Sequence, residues 1–360
     1  MRVVLAGGGT TGHISPMLAT AEALQSCEPT IEITCVGTHV GLETDLVPAA
    51  GFDLVLVDPV PLPRRISPEL VTLPVRILSS VHQAKAILAD ADAAVGFGGY
   101  ASLPVYLAAR RMRIPVVVHE ANAVPGLANR IAARFAEYVC VTFANTGLPR
   151  QIVTGMPVRS GVANLDRKAE RLRARQVFGL DANAKVLLVS GGSQGARSLN
   201  EAVIGALPAL AAAGILVLHV TGKKNFDEVD PGTDYPGYVK VAYVDRMDQA
   251  YAAADLMVAR SGAGTVTETA LAGLPVIFVP LPHGNGEQAK NAAGVVAAGG
   301  GILIADADLT SERLAEEAVR ILGDESLLAQ MSDAAQRVMP RNAALRVARY
   351  TLDAAEKRRQ

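Results

Sequence analysis

The chain has 360 residues, half of them hydrophobic, and carries a formal net charge of −1 at pH 7. This length is too great for one ordinary hydrophobic core and is comfortable for two. A near-neutral chain with no basic block and no Trp is a poor candidate for binding nucleic acid. A long uncharged stretch, residues 202–221, contains Pro208, Gly214 and His219, so it predicts a helix and then a strand rather than a membrane span.

The first element is a short apolar strand that ends in a glycine turn. Residues 3–6 form the apolar run, three glycines follow at 7–9, and a helix is predicted over residues 15–25. Glycine tolerates positive φ and lets backbone N–H groups approach a ligand, while the N-terminus of a helix favours an anion. The turn therefore predicts a phosphate or pyrophosphate site, with His13 at its mouth.

The same glycines match a dinucleotide-binding pattern, Gly7-x-Gly9-x-x-Gly12. That pattern expects an acidic residue at the end of the second strand, where it holds a ribose. The second predicted strand, residues 31–36, is followed by Gly-Thr-His at 37–39. Because no acid stands there, the sequence disfavours binding of NAD(P).

Strands and helices alternate along the rest of the chain. Several predicted strands are solid Val/Ile/Leu runs, which are typical of parallel strands covered on both faces. The predicted strands are 2–6, 31–36, 53–57, 93–97, 114–118, 138–142, 185–190, 215–220, 239–243, 255–258, 275–279 and 301–305. The series breaks at 155–164 and resumes with a second strand and glycine turn. We therefore predict an α/β protein of two Rossmann-like, doubly wound parallel-sheet domains, residues 1–160 and 161–340, which face a central cleft. A C-terminal helix, 341–360, follows them.

Four further clusters of polar or small residues follow predicted strands, at 96–100, 119–122, 260–268 and 282–291. The small residues of the third suit a phosphate, and Glu268, about one turn into the next helix, suits a ribose diol. Amides in the last suit sugar hydroxyls. The chain has no Gly-x-x-x-x-Gly-Lys-Ser/Thr motif, which disfavours ATP or GTP hydrolysis. Its Asp, His and Cys positions show no metal-site spacing, so we expect neither a metal nor a cofactor.

Seven motifs occur in a fixed order along the chain. They are GGTTGH (8–13), GFGGY (96–100), HEAN (119–122), GMPVR (155–159), GGSQGAR (191–197), RSGAGTVTE (260–268) and EQxxN (287–291). This ordered set resembles the MurG family of peptidoglycan glycosyltransferases, and the likeness covers essentially the whole chain. The resemblance implies the two-domain GT-B fold. It also implies inverting transfer of N-acetylglucosamine from UDP-N-acetylglucosamine to the muramyl 4-hydroxyl of undecaprenyl-pyrophosphoryl-MurNAc-pentapeptide (lipid I), which gives lipid II.

The resemblance also implies which residues bind each substrate. The C-terminal domain would hold the donor and the N-terminal domain the lipid-linked acceptor. The implied donor residues are Thr10, Thr11, Gly12, Asn122, Arg159, Ser193, Val244, Ala263, Gly264, Thr265, Val266, Thr267, Glu268 and Gln288. The acceptor residues are Gly98, Gly99 and Tyr100. Two positions depart from the family pattern: Thr11, where a small residue is common, and Ala121, where Gln is common.

Two residues are candidates for the catalytic base. The neutral imidazole of His13 can take a proton from an attacking sugar hydroxyl, or it can orient the acceptor diphosphate. Glu120, in the HEAN motif, is either an alternative base or the group that orients the base. Two other functions stay open: an UDP-N-acetylglucosamine epimerase of the same two-domain build, and a non-catalytic protein that binds nucleotide sugars.

A membrane surface is the last expected partner. Residues 61–78 mix Arg with aliphatic residues, and 110–113 add three more Arg. Such a surface either rests on anionic lipid headgroups or simply packs a helix on the sheet. A lipid-linked acceptor favours the first, so we expect a chain without a membrane span that associates peripherally with the cytoplasmic face of the cell membrane.

Overall fold

The computed structural model describes residues 1–60, 69–192, 194–233, 235–283 and 285–360, with residues 69–72 as backbone only. The chain forms two compact units. Unit 1 consists of Met1–Arg159 and Asn342–Gln360, and unit 2 of Ser160–Arg341.

Unit 1 is built on a parallel sheet, which has seven strands among the described residues, in the order β3-β2-β1-β4-β5-β6-β7. The strands are β1 (Arg2–Ala6), β2 (Glu32–Gly37), β3 (Asp53–Leu56), β4 (Ala93–Gly96), β5 (Val116–Glu120), β6 (Tyr138–Val141) and β7 (Gln151–Val153). Residues 3–6 and 93–95 in the two central strands are completely buried. This burial on both faces explains the solid apolar runs.

Helices cover both faces of this sheet. The helices of the first segment are α1 (Thr11–Cys27), α2 (Glu43–Ala49), α3 (Glu69–Ile87), α4 (Ser102–Arg111) and α5 (Leu127–Ala132), with a short 3₁₀ helix at Ala144–Thr146. Apolar residues of α3, α4 and α5 form one core with the sheet, and those of α1 form a second core on the opposite face. The sheet is therefore doubly wound, as predicted.

Unit 2 repeats this plan with a second parallel sheet, in the order β10-β9-β8-β11-β12-β13. Its strands are β8 (Lys185–Ser190), β9 (Ile215–Val220), β10 (Tyr238–Val241), β11 (Leu256–Ala259), β12 (Val276–Phe278) and β13 (Gly301–Leu303). Its helices are α6 (Ser160–Ala163), α7 (Arg167–Val177), α8 (Arg197–Ala212), α9 (Met247–Ala253), α10 (Ala263–Ala272), α11 (Glu287–Ala297), α12 (Ser311–Gly323) and α13 (Glu325–Gln336), with a 3₁₀ helix at Asp306–Asp308. The prediction of two parallel-sheet domains is confirmed.

The last helix, α14 (Ala343–Arg359), belongs to unit 1. It packs against α1 on the sheet face that α1 covers. Val347, Ala348 and Ala354 of α14 are completely buried in that core. The last helix therefore completes a core that the first residues of the chain begin.

Two predicted details are wrong. The first helix begins at Thr11 rather than at residue 15, because the N–H groups of both His13 and Ile14 already bond to the carbonyl of Thr10. Poor helix formers at 11 and 12 hid this start. Strand β7 was not predicted; its three residues form the edge of the sheet beside β6, and so short a strand has no readable periodicity.

The topology places both glycine turns and two of the predicted clusters, 96–100 and 260–268, at two switch points. In unit 1 the strand order reverses between β1 and β4, and in unit 2 between β8 and β11. Open parallel sheets bind ligands beyond the carboxyl ends of their strands at such points. The glycine turn after β1 and the GFGGY loop after β4 therefore lie together, as do the loops after β8 and β11.

Each unit also contains one completely buried histidine. In β5, His119 Nε2 donates a hydrogen bond to the carbonyl of Gly155 at 3.0 Å. In β9, His219 lies 3.0 Å from both Asn200 Oδ1 and the Tyr238 hydroxyl. Burial disfavours the charged imidazolium and lowers the pKa of each histidine to about 4.

We expect the protein to lose stability as the pH falls from about 6.5 towards 4. In this range both histidines become protonated in the unfolded chain but stay neutral in the folded one. The unfolded state therefore binds more protons, and the free energy of unfolding decreases as the pH decreases. The difference between the ordinary pKa of 6.5 and about 4 corresponds to roughly 3 kcal/mol for each histidine at the acidic end.

Urea denaturation of the wild type and of His219→Gln, at pH 7 and pH 5, measures this effect. The stability advantage of the wild type over the variant should shrink at pH 5, because only the wild type retains a histidine at 219. An advantage that stays constant or grows would contradict the assignment of a neutral buried ring.

Candidate active site

Two glycine loops meet at the switch point of unit 1. Gly98 and Gly99 adopt positive φ values of 92° and 83°, which other residues rarely reach. A Cβ atom on Gly99 would lie 2.4 Å from the carbonyl oxygen of Gly8. The second loop therefore needs glycine to lie directly against the first. Tyr100 follows them with about half of its surface exposed.

His13 lies in the first turn of α1 and is half-buried. Its Nδ1 is 3.1 Å from the carbonyl oxygen of Gly8. Because a carbonyl can only accept a hydrogen bond, Nδ1 is the ring nitrogen that donates; in a neutral ring this leaves the lone pair on Nε2. A Cβ atom on Gly98 would lie 3.2 Å from Nε2, so glycine at 98 leaves room beside the nitrogen that can act as a base.

The glycine turn already holds an anion from the protein itself. The sequence predicts that its N–H groups face a ligand, but the N–H of Gly9 donates to the buried carboxylate of Glu43 at 2.9 Å. This part of the prediction is wrong. The start of α1 remains open: Thr10 and Gly12 are exposed, Thr11 is half-buried, and Thr10 makes no side-chain cap.

Glu120, the second candidate base, is buried at the end of β5. Its oxygens accept hydrogen bonds from the N–H groups of Asn122 and Gly126, both at 3.0 Å, and from Asn129 Nδ2 at 2.9 Å. The Asn129 side chain also accepts from the Tyr106 hydroxyl at 2.7 Å. This carboxylate thus fixes the loop that carries Asn122. The geometry favours the orienting role over that of a base.

Arg159 is exposed and is the last residue of the first segment of unit 1. The hydrogen bond from His119 to Gly155 holds the segment that leads to it. The HEAN and GMPVR motifs are therefore joined through a buried contact. Residue 193, the predicted Ser193, lies outside the described residues.

The loop after β11 in unit 2 leads directly into α10. Ala263, Gly264 and Thr265 form the first turn of this helix, and the preceding Gly262 provides no side-chain cap. N–H groups in the first turn have no partner within the helix. Nearby, Ser261 Oγ and Thr267 Oγ1 are buried and lack a hydrogen-bond partner within the described ranges. This end of α10 is suited to bind an anion.

Glu268 lies at the start of the second turn of α10, about one turn into the helix, as predicted. Its Oε2 accepts a hydrogen bond from the Tyr251 hydroxyl at 2.7 Å. Tyr251 is almost completely buried, and burial, followed by the charge of Glu268, raises the pKa of this tyrosine well above 10. The protonated hydroxyl therefore holds the half-buried carboxylate in place.

The remaining predicted donor residues of unit 2 lie at the same edge of the sheet. Val244 is buried beyond β10, Val266 is buried within α10, and Gln288 is half-buried at the start of α11. The Gln288 side chain accepts a hydrogen bond from the N–H of Leu281 at 2.9 Å. That bond directs the amide oxygen of Gln288 toward the loop backbone.

Arg260 braces the loops around α10, a role that sequence reasoning missed. Its guanidinium donates to the carbonyls of Val279 and Pro280 at 3.2 and 3.1 Å and to Ser198 Oγ at 2.8 Å, and it pairs with Asp306. These contacts join the ends of β11 and β12 to the start of α8. Arg260 is the first residue of the RSGAGTVTE motif, but its partners are distant in sequence and become visible only in the fold.

Two absences in the described part of the chain concern the expected partners. Within the described residues, no group of three or more His, Cys, Asp or Glu side chains is placed to hold a metal ion. No described helix combines the length and the apolar character that crossing a bilayer requires.

Comparison with known proteins identifies relatives along the whole chain. The N-terminal domain of glycosyltransferase family 28 matches residues 3–141, and its C-terminal domain matches residues 186–347. A protein of Nocardioides sp. is 52% identical over 98% of both chains. One of Mycobacterium avium is 54% identical over 98% of this chain and 88% of its own. Both are named UDP-N-acetylglucosamine–N-acetylmuramyl-(pentapeptide) pyrophosphoryl-undecaprenol N-acetylglucosamine transferase.

Solved structures also match almost the whole chain. Acinetobacter baumannii MurG matches with a TM-score of 0.78 and 29% identity, over 98% of this chain and 99% of that one. The UDP-GlcNAc 2-epimerase of Neisseria meningitidis, bound to UDP-GlcNAc, matches with a TM-score of 0.67 and 16% identity, over 98% and 100%. At that identity the epimerase shares the fold alone.

Proposed function

Because this chain belongs to glycosyltransferase family 28, among its MurG members, we propose that it transfers N-acetylglucosamine from UDP-N-acetylglucosamine to the muramyl 4-hydroxyl of lipid I. The product is lipid II, a precursor of peptidoglycan. The full-length likeness to relatives named for this transfer is the observation that carries the proposal. The epimerase alternative is supported only by a shared fold.

The donor is proposed to bind mainly residues of unit 2, together with a few of unit 1. The open N-terminus of α10 and the unpartnered hydroxyls of Ser261 and Thr267 suit its diphosphate. The Glu268 carboxylate, held by Tyr251, suits the two hydroxyls of the ribose. Val244 would lie beside the base. Gln288 and Asn122 would bind the sugar hydroxyls, and Arg159 and Ser193 the nucleotide.

The acceptor is proposed to bind unit 1. The Gly98–Tyr100 loop lies against the glycine turn and beside His13, and its exposed tyrosine offers a hydrogen-bond donor to a pyrophosphate. Thr10, Thr11 and Gly12, at the start of α1, stay assigned to the donor. The muramyl sugar would then lie beside Nε2 of His13, where Gly98 leaves space.

The proposed reaction is a displacement at the anomeric carbon of the donor. The muramyl 4-hydroxyl attacks from the face opposite UDP, and its oxygen forms the new glycosidic bond as the bond to the diphosphate breaks. His13 Nε2 takes the hydroxyl proton, and UDP leaves with the electron pair, so the configuration inverts. The N–H groups of α10 and the Arg159 guanidinium stabilise the charge that develops on UDP.

Incubation of the protein with labelled UDP-N-acetylglucosamine and a lipid-linked muramyl acceptor tests the proposal. Label should pass to the lipid only when both substrates are present. A parallel incubation without acceptor distinguishes the alternatives. A new sugar isomer would indicate an epimerase, and binding of UDP without any turnover in either mixture would indicate a non-catalytic protein.

We also propose that unit 1 associates with the membrane through α3 and the end of α4. Val75 and Leu78 of α3 are 70% and 59% exposed, and α3 packs beside α4, whose C-terminal end carries exposed Arg110 and Arg111. Exposed apolar residues beside cations are typical of surfaces that rest on anionic lipid. Residues 61–68 of the predicted basic stretch lie outside the described residues.

A double variant, Val75→Ser with Leu78→Ser, is expected to bind vesicles that contain phosphatidylglycerol about tenfold more weakly, because it loses apolar area that would enter the lipid interface. Cosedimentation with vesicles measures the change. Leu172→Ser is the matched control, since Leu172 is also 59% exposed but lies in unit 2. Equal binding by the double variant and the control would contradict the assignment of this surface.

A further inference from the structure

Glu43 is a completely buried carboxylate beside the candidate base. It is the first residue of α2 and has no exposed surface. Its Oε1 accepts hydrogen bonds from the N–H and the hydroxyl of Thr38, at 2.8 and 2.9 Å, and its Oε2 accepts from the N–H of Gly9 at 2.9 Å. It therefore joins the end of β2 to the glycine turn after β1.

Three glycines make room for this side chain. A Cβ atom on Gly8 would lie 2.4 Å from Glu43 Oε1, one on Gly37 would lie 2.4 Å from Cγ, and one on Gly41 would lie 1.8 Å from Oε2. Any side chain at these positions would displace the carboxylate. The absence of side chains at these three glycines therefore leaves the space that the Glu43 side chain fills.

Hydrogen bonds compensate the burial of Glu43. Among the described residues no Lys, Arg or His forms an ion pair with it. Burial of an isolated carboxylate is costly unless donors satisfy it. Three donors contact its two oxygens. The loss of one donor would therefore disturb the whole turn rather than one contact.

Gly8 connects this carboxylate to His13. One side of Gly8 packs against Glu43, and its carbonyl oxygen accepts the hydrogen bond from His13 Nδ1 at 3.1 Å. The position of that carbonyl decides which ring nitrogen carries the proton. We propose that Glu43 is a positioning residue, which holds the glycine turn so that His13 keeps its proton on Nδ1 and presents Nε2 to the acceptor hydroxyl. The role of His13 as base rests on the proposed function, whereas these contacts do not.

Glu43→Gln tests the proposal with little change in size. The amide has one oxygen, so it cannot accept from both Gly9 and Thr38, and its NH₂ group would face a donor. We expect kcat to fall about 10- to 100-fold, while the KM for UDP-N-acetylglucosamine and the affinity for UDP change by less than about twofold, because most of the proposed donor contacts lie in unit 2 and Glu43 makes none of them.

A spectroscopic measurement separates positioning from a general structural role. In protein labelled with ¹⁵N-histidine, the His13 ring of the wild type should show the proton on Nδ1, and in Glu43→Gln it should become a mixture of both tautomers. His13→Gln assigns the signal. If Glu43→Gln does not fold, Thr38→Val, which removes one of the three donors, should cause the same changes to a smaller extent.

Asp92→Asn is the matched control. Asp92 also accepts a hydrogen bond from a backbone N–H, that of Arg2 at 2.8 Å. It lies at the amino-terminal ends of β1 and β4, whereas the glycine turn lies at the carboxyl end of β1. This control should lower stability without changing the tautomer or kcat. An unchanged tautomer and an unchanged kcat in Glu43→Gln would overturn the proposal. A changed tautomer in a protein that transfers no sugar would preserve the positioning role and refute the proposed function instead.

Discussion

Glu268→Gln is expected to raise the KM for UDP-N-acetylglucosamine about 10- to 100-fold while the protein remains folded. The variant loses the charged acceptor for the ribose hydroxyls, and hydrogen bonds to a charged group contribute about 1.5–3 kcal/mol each. Gln still accepts the hydrogen bond from Tyr251, so no buried hydroxyl is left without a partner. Steady-state kinetics and calorimetric titration with UDP measure the loss.

Two comparisons make this result specific. Glu316→Gln changes an exposed carboxylate of α12 in the same unit and should leave the KM unchanged. The 2′-deoxyribose analogue of the donor should bind the wild type more weakly, and it should bind Glu268→Gln about as well as the normal donor does. If Glu268→Gln leaves the donor KM unchanged, the carboxylate is not at the ribose.

The second large effect is expected for His13→Gln. Loss of a general base typically lowers turnover by about 10²- to 10⁴-fold. Most of the proposed donor contacts lie in unit 2 and none is made by His13, so the KM for UDP-N-acetylglucosamine should stay within about threefold of the wild type. Initial rates at saturating acceptor measure kcat. His82→Gln, an exposed histidine of α3, serves as the control.

The sequence left a second role open for His13, and the same kinetics distinguish it. If His13 orients the acceptor diphosphate, the substitution raises the KM for the lipid-linked acceptor and lowers kcat little. Turnover that survives within a few fold would exclude His13 as the base. Glu120 would then be the next candidate, although three hydrogen bonds already satisfy its carboxylate.

The architecture was predictable because parallel strands buried on both faces leave long apolar runs in the sequence. These runs, and the glycines that end them, located all the strands except β7 to within about two residues. Turn chemistry then placed the clusters at the carboxyl ends of the strands. The start of α1 was misplaced because its first residues are weak helix formers, and the N–H groups that define the start bond to one backbone carbonyl.

The contacts that position the candidate site were not predictable in the same way. Glu43 lies six residues beyond β2, and its side chain turns back into the core. The dinucleotide-binding pattern expects an acid directly after that strand, so it does not point to Glu43. Tyr251 reaches Glu268 from another helix. Both are single polar contacts between distant residues, and they leave no periodicity in the sequence. An acid among closely spaced glycines, at 37–43, was the one local signal for Glu43.

The return of α14 to unit 1 has a consequence for synthesis on the ribosome. The seven-stranded sheet is translated first, yet one of its faces lacks Val347, Ala348 and Ala354 until the last turns of the chain emerge. Unit 2 is continuous from Ser160 to Arg341, so the nascent chain can complete it earlier. The domain that is translated first is thus finished last, and a polypeptide released before residue 343 would expose an uncovered apolar face to chaperones and proteases.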